Sequence, residues 1–460
     1  EASIDQVVVI DIEQNSIEAL GNFHEWPHAY HGQLLDVVGS GKPKALLFDI
    51  IFDSERRDDY HLVDALLREQ EGENNALTGS AKEYLKEHDP DHFIRSNSSS
   101  SIAHHALVFE PSDSLNFLYP MDQVPSGYDP SGHTLDLPAE VARKLPSAER
   151  LGNTHVALLD NAHGAGVINF DHDTDGIIRR APTAIYFKGP GLVFPSLTLS
   201  AVSDILGIPA DGFEYDFSSS LLRLRDTTGA IVREIPIDEQ GRMYIDYAGH
   251  FKTFYYLPYS YCFDREKLDP EYWKDKVAIV GSSMSGLMDL LNTPVQESFP
   301  GVEIQANIVH SILQNKFVSL ASPYSNFLLL LLLVLVLGVL SSLPEKTLWG
   351  YLMMAAIMVL WIAFAYGQFI EKRVMWDVVR PVTALGLTQL GVFLYTYLVA
   401  DRDKRFLRAT FSTYISPTLI EKMITDKQEP QLGGDEGNHT AFFSDIQNFS
   451  LLSEQLSATD

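Results

Sequence analysis

The sequence predicts an α/β domain over residues 1–320, followed by an all-α region of three membrane-spanning helices over residues 321–400. Three observations predict it. Short apolar runs alternate with helical patterns in the first two thirds of the chain. Three long segments without charge follow them. The charge itself is divided unevenly between the two parts.

The strand expectations are Val7–Ile12, Ala45–Phe52, Val167–Phe170, Arg242–Tyr247 and Val277–Val280. Between them His31–Val38, His61–Arg68, Ser196–Leu206 and Val302–Leu313 place apolar residues three and four apart, the spacing of a helix with one buried face. Such alternation favours a mainly parallel or mixed sheet covered by helices. Residues 72–150 are rich in Ser, Pro, Asp and Gly, with Asn97-Ser98-Ser99-Ser100-Ser101 at their centre, and read as an irregular excursion from the core.

The chain carries 61 acidic and 34 basic residues, for a net charge of -27. Residues 1–320 hold 48 acidic and 24 basic residues, so most of that excess lies in the α/β domain. No nucleic-acid partner is expected, because that role needs a basic footprint. Cys262 is the single cysteine, which excludes an intrachain disulfide and a multi-cysteine metal site.

Charge is absent from Phe317–Leu343, Leu348–Ile370 and Pro381–Ala400. A bilayer crossing needs roughly 20 apolar residues, so spans are expected at about 324–343, 348–370 and 379–400, with the lipid bilayer as partner. Arg402, Lys404, Arg405 and Arg408 follow the third span and mark its end as cytoplasmic. Three crossings then place residues 1–320 outside, and an export segment is expected upstream of Glu1. Lys372, Arg373 and Arg380 pull the other way, since they occupy a loop that must face outward. Residues 401–430 are expected to form a cytoplasmic transducer helix and linker.

A series of patches carries a resemblance. Val7-Val8-Val9-Ile10-Asp11-Ile12, Trp26-Pro27 and Phe48-Asp49-Ile50-Ile51-Phe52 open it. Asp173-Thr174-Asp175-Gly176-Ile177-Ile178-Arg179-Arg180, Pro236-Ile237-Asp238, Gly241-Arg242-Met243 and Asp246-Tyr247-Ala248-Gly249 follow. Lys276-Val277-Ala278-Ile279-Val280-Gly281, Thr293-Pro294 and Pro300-Gly301-Val302-Glu303-Ile304-Gln305-Ala306-Asn307 close it. In this order they resemble the CHASE2 extracytoplasmic sensor domain of bacterial signalling receptors. The resemblance implies an unknown extracytoplasmic ligand, three transmembrane helices and a cytoplasmic output.

The chain closes on His439-Thr440-Ala441-Phe442-Phe443-Ser444-Asp445-Ile446-Gln447-Asn448-Phe449-Ser450. These residues read as a buried strand ending on a carboxylate, then a tight turn into a helix starting near Leu451. A turn of this kind offers N–H groups to phosphate oxygens, and a carboxylate beside it suits Mg²⁺. The motif resembles the opening of the class III nucleotide cyclase domain, so residues 431–460 are expected to begin an α+β (ferredoxin-like) fold. The resemblance implies two divalent ions, Mg or Mn, held by the Asp445 carboxylate and the Ile446 backbone carbonyl. It makes Gln447, Asn448, Phe449 and Ser450 the phosphate-binding turn, with Asn448 where the family usually has Gly. The family's remaining catalytic residues are expected beyond Asp460, so none is expected within the chain as given. Asp445 also has a plainer reading, as the cap of the following helix.

The expectation is therefore a homodimeric, multi-pass receptor of the bacterial inner membrane that makes a cyclic nucleotide from a nucleoside triphosphate, ATP favoured over GTP. The alternative is a sensor without its own catalysis, signalling to another output such as a kinase. Asp11, Asp49 and Asp53 fall at strand ends, where open α/β sheets bind ligands, and are the sensor-pocket candidates. Asp171, Asp173, Asp175 and Gly176 match the start of a Ca²⁺ loop, but Pro182 stands where a bidentate Glu is needed, so a structural turn is expected. Gly281-Ser282-Ser283-Met284-Ser285-Gly286 reads as ordinary loop chemistry with some likeness to an anion-holding turn. His104 and His105 are expected at the surface.

Overall fold

Six parallel strands form the centre of the N-terminal domain: β1 (Val7–Asp11), β2 (Ala45–Phe48), β3 (Ala103–Leu107), β4 (Gly164–Val167), β5 (Tyr255–Pro258) and β6 (Val277–Gly281). Their spatial order is β5-β1-β6-β2-β3-β4, and every neighbouring pair is parallel. The computed structural model describes residues 4–460 except 53–57, 70–75, 111–123, 153–154, 265–267, 285–289, 343–346, 401–405, 407–439 and 455–460.

Apart from Asp11, β1, β2 and β6 lack polar side chains because both faces of the sheet are covered. Successive side chains point to opposite faces. Val7, Val9, Ala45, Leu47, Val277 and Ile279 join one buried cluster with α3 (Leu197–Leu206) and α4 (Gly301–Leu313). Val8, Ile10, Leu46, Phe48, Ala278 and Val280 join the other, with Leu34, Leu35 and Val38 of α1 (His28–Ser40) and Phe93 of α2 (Pro90–Ser99). A sheet packed on both sides shows continuous apolar runs rather than alternation. Each fully buried side chain of this size contributes about 1.5–3 kcal/mol.

The helix boundaries follow local chemistry. The Ser196 hydroxyl accepts the Leu199 N–H at 3.3 Å to start α3, and Gly207 ends it in the left-handed region at φ 69°. Asp89 accepts the Asp91 N–H and Pro90 takes the first turn of α2.

The excursion expected over residues 72–150 is only partly irregular. Residues 90–107 belong to the core: α2 packs on α1, and β3 is an interior strand between β2 and β4. Asn97-Ser98-Ser99-Ser100 is the end of α2 and its C-cap, not a linker. His104 and His105 are 1% and 2% exposed, which corrects their expected surface position. His105 stacks on Phe48 with centroids 5.1 Å apart and bonds the Asn97 side-chain oxygen at 2.9 Å. Two polar rings in a buried strand hide it from a search for apolar runs.

Smaller antiparallel pieces flank the sheet, among them the meander Phe213–Asp216, Leu221–Arg225 and Ile231–Pro236. Arg242–Tyr244 pairs with Arg180–Pro182 rather than joining the central sheet.

The chain divides into two units, residues 1–326 with 362–378, and residues 327–361 with 379–460. Two helices, α5 (Pro323–Ser342) and α6 (Thr347–Lys372), contain stretches long and apolar enough to cross a bilayer. Phe327 and Leu335 of α5 are 61% and 57% exposed, the opposite of a core helix in water. The third helix, α7 (Val379–Tyr395), is shorter and continues as one π-helical turn, Thr396–Ala400. Within this unit the Ser341 hydroxyl donates to Gln389 Oε1 at 2.9 Å, a polar contact between α5 and α7.

The strand expected over residues 439–445 does not form among the described residues. Thr440–Ile446 carry no ladder, and Phe442 and Phe443 are 89% and 91% exposed. A strand needs neighbours for its N–H and C=O groups, and no described strand pairs with this segment. The turn at Gln447–Asn448 and a short helix, Phe449–Ser453, do form. Arg402, Lys404, Arg405, Arg408 and the transducer segment (residue 406 apart) lie outside the described residues.

Candidate functional site

The carboxyl ends of parallel strands are where open α/β sheets place ligands. β1 ends on Asp11, and Asp49 follows β2; between them runs β6, ending on Gly281. Asp53 lies outside the described residues. Asp11 and Asp49 point to the same side of the sheet, by alternation from Val7, Val9 and Leu47.

The two carboxylates differ in what surrounds them. Asp11 accepts the Ser283 N–H at 2.8 Å and the Ser283 hydroxyl at 2.7 Å. The Ser282 hydroxyl donates to the Ile12 carbonyl at 2.7 Å. The turn after β6 therefore spends its Ser283 N–H on Asp11, the anion built into the fold, and the likeness to an anion-holding turn ends there. Ser285 and Gly286 of that turn lie outside the described residues. Burial raises the Asp11 carboxyl, and the two Ser283 bonds oppose it.

Asp49 is 7% exposed, and among the described residues no group donates to its carboxylate. Burial lifts that carboxyl to about 7. A buried acid poised near neutrality in a sheet crevice is the kind of group that marks a binding site. It can donate a hydrogen bond when protonated and accept one when ionised.

An open cleft of about 710 Å³ lies beyond the carboxyl ends of β3 and β4. Phe109 and Phe170 supply apolar wall, Asn169 and Gln240 amide groups, and Arg143, Lys144 and Lys188 positive charge. Lys188 is paired with Glu149 at 3.1 Å, whereas Arg143 makes no ion pair among the described residues. Sequence reasoning missed this cleft because its walls are separated by up to about 130 residues, from Phe109 to Gln240.

The patches that carry the resemblance meet in space. Asp173 pairs with Arg179 at 3.2 Å and with Arg180, and Arg180 pairs with Asp238 at 2.8 Å. Asp238 also receives Arg242 at 2.9 Å, while Arg179 holds the Asp175 carboxyl at about 2. The acidic loop expected to be a structural turn is therefore neutralised by its own arginines. Glu303 accepts the Lys252 and Thr253 N–H groups, both at 3.0 Å, and the Tyr256 hydroxyl at 2.8 Å. Asn307 accepts the Ala248 N–H at 2.7 Å. These contacts tie the segment leading into β5 to the start of α4.

Residues 1–340 match the CHASE2 domain family. The chain belongs to the CHASE2 family. CHASE2 is an extracellular sensor domain of signalling receptors. A CHASE2 domain, extracytoplasmic in that family, beside two helices long and apolar enough to cross a bilayer suggests a membrane protein. No curated protein and no solved structure matches it.

At the other end of the chain, Asp445 sits on an exposed segment, its Oδ1 accepting the Ile446 N–H at 2.9 Å. The Ile446 carbonyl accepts the Phe449 N–H at 3.1 Å and keeps a second lone pair free. Gln447, Asn448, Phe449 and Ser450 form the exposed turn and the start of its helix.

Proposed function

We propose that this chain is the sensor, membrane region and first segment of a receptor-type class III nucleotide cyclase, most simply an adenylate cyclase. On this reading α5, α6 and the helix continued from α7 all cross the bacterial inner membrane, and two copies of the chain assemble a cyclase pair in the cytoplasm. The observation that carries the reading is Asn448. It stands where the resembled motif has Gly, and its φ is 64°, the left-handed conformation that such a Gly serves. Asn is the residue that best tolerates that region in place of Gly. The left-handed backbone at Asn448 supports the phosphate-turn reading although the sequence departs from the pattern.

The donors at the motif suit the ions it implies. Asp445 offers an anionic oxygen and Ile446 a carbonyl oxygen, both hard ligands fitting Mg²⁺ or Mn²⁺. Bound there, such ions supply charge stabilisation to a triphosphate undergoing in-line displacement. Asp445 would anchor them, the N–H groups of Gln447, Asn448 and Ser450 would hold phosphate oxygens, and the Phe449 N–H, bonded to the Ile446 carbonyl, fixes the turn.

The alternative is a sensor that signals to a separate output such as a kinase; among the described residues Phe442 and Phe443 are exposed and no strand pairs with the segment that carries Asp445. The test measures cyclic nucleotide formed from ATP, and separately from GTP, with Mg²⁺ or Mn²⁺, by the receptor carrying its complete C-terminal region and by its Asp445→Asn variant at matched dimer content. Asp445→Asn keeps the shape and removes the charge, and Asn caps a helix about as well as Asp. We expect a loss of at least about a hundredfold, the scale of one preorganised electrostatic contact. Undiminished turnover in the variant rejects the metal assignment, and absence of any product from the wild type favours the kinase-coupled reading.

A further inference from the structure

His104 is the second residue of β3, His163 immediately precedes β4, and Asp204 lies in the last turn of α3. The parallel register sets His104 opposite Gly164, so the two imidazoles lie one register step apart at the amino ends of neighbouring strands. Asp204 approaches both from the covering helix. Its Oδ2 lies 3.5 Å from His104 Nε2 and 3.4 Å from His163 Nε2, and one ligand atom from each of the three residues falls within 4.8 Å of the others.

Those spacings are too long for good N–H···O bonds, which run about 2.7–3.2 Å. They are what two ligands of one small cation show. Bonds of about 2.0–2.2 Å to nitrogen and oxygen, opened to the tetrahedral angle, separate the ligand atoms by about 3.3–3.5 Å.

The surroundings prepare His104 for that role. Its Nδ1 lies 3.3 Å from the Ser200 hydroxyl oxygen, which can accept an Nδ1 proton and so leave the Nε2 lone pair for a metal. Gly164 completes the cradle: a Cβ there would land on the His104 ring and crowd the Ser200 hydroxyl. The side chains of His163 and Asp204 are 38% and 42% exposed, which leaves an entry path and room for a fourth ligand from water.

We propose that His104, His163 and Asp204 form a divalent transition-metal site, with Zn²⁺ the best-matched ion. Two imidazoles and one carboxylate suit zinc, whereas Mg²⁺ and Ca²⁺ take oxygen donors. The ion would clip β3 and β4 to α3 at the amino-terminal end of the sheet, opposite the crevice of Asp11 and Asp49. The inference stands independently of the cyclase reading, because all its residues belong to the sensor domain.

The test uses the full chain in mild detergent, carrying no histidine tag and stripped with a chelator. Zn²⁺ is titrated against a chromophoric competitor, and Co²⁺ is added separately to read the visible absorption of a tetrahedral centre. Three variants accompany the wild type: His163→Ala and Asp204→Asn, both at exposed positions, and His172→Ala as an exposed control. We expect one tight Zn²⁺ per chain and a rise in thermal unfolding temperature on loading. Affinity should fall at least about tenfold in His163→Ala and Asp204→Asn, as large as the loss of even an outer partner of a metal ligand. His172→Ala should bind like the wild type. No tight Zn²⁺ in the wild type, an unchanged affinity in His163→Ala, or an equal loss in His172→Ala overturns the site. Circular dichroism confirms that each variant is folded, and the Co²⁺ spectrum reports the ligands directly.

Discussion

Arg373 donates from Nε to the Asp246 carboxylate, joining the loop after α6 to the base of the sensor domain. The backbone reinforces the contact. Ser319–Leu320 pairs in parallel with Val374–Met375, and the Ser319 N–H donates to the Arg373 carbonyl at 3.0 Å. The loop and the sensor domain thus belong to one unit. A basic residue in an outward-facing loop opposes the positive-inside tendency, but Arg373 is matched to a specific carboxylate of an acidic domain. The same loop also gives the sensor a direct grip on the helices that leave it.

The first prediction concerns that grip. Asp246 and Arg373 side chains are 19% and 38% exposed, so the pair is only partly screened by water. Asp246→Asn and Arg373→Gln should each lower the stability of the sensor domain by roughly 1 kcal/mol, the scale of a charge-assisted hydrogen bond near a surface. The double variant should lose little more than either single one. Thermal unfolding in detergent across the four proteins measures the coupling, and fully additive losses would show that the pair does not interact.

A second prediction follows from Asp49. Its carboxyl is raised by burial from 3.8 to about 7 in the folded protein. A folded-state value above the unfolded one means that the neutral acid is accommodated and the ionised acid is penalised. The stability present below about pH 4 is therefore lost progressively as pH rises toward 7. Full displacement corresponds to roughly 4 kcal/mol. Asp49→Asn removes this loss, so its advantage over wild type should grow from pH 4 to 7 and then level off. Chemical unfolding at a series of pH values checks it; parallel curves for the two proteins would mean that Asp49 ionises freely.

The third prediction tests orientation with the chain's own cysteine economy. Cys262 is 1% exposed, and burial pushes its thiol well above the usual range, so it should not react with a maleimide. Thr228 sits at the exposed tip of a hairpin, where Asp226 caps the turn. Thr228→Cys should be labelled by a membrane-impermeant maleimide in spheroplasts of a bacterial host, and the wild type should stay unlabelled. Labelling that appears only after lysis would place the sensor domain inside.

Local pattern alone determined a good part of this protein. Val7–Asp11, Ala45–Phe48 and Val277–Gly281 are legible as strands, because a strand buried on both faces must be apolar at every position. The helices around His31, Ser196 and Val302 are legible from their spacing, and the two long apolar helices from uninterrupted apolar length. The collinear patches were enough to place the chain among the CHASE2 sensors. Tertiary structure decided the rest. β3 carries His104 and His105 and becomes a strand only because β2 and β4 pair with it and Phe48 and Asn97 receive its rings. β4, Gly164-Ala165-Gly166-Val167, has too little side chain to announce itself, and its glycines are explained by the His104 ring and the backbone of α3 lying against them. Thr440–Ile446 has the composition of a buried strand but remains exposed, since a strand exists only where another chain segment completes its hydrogen bonds. His104, His163 and Asp204 are separated by 59 and 41 positions. No local spacing links them; only the parallel register of β3 with β4, and the helix laid across them, brings three ligands to one point.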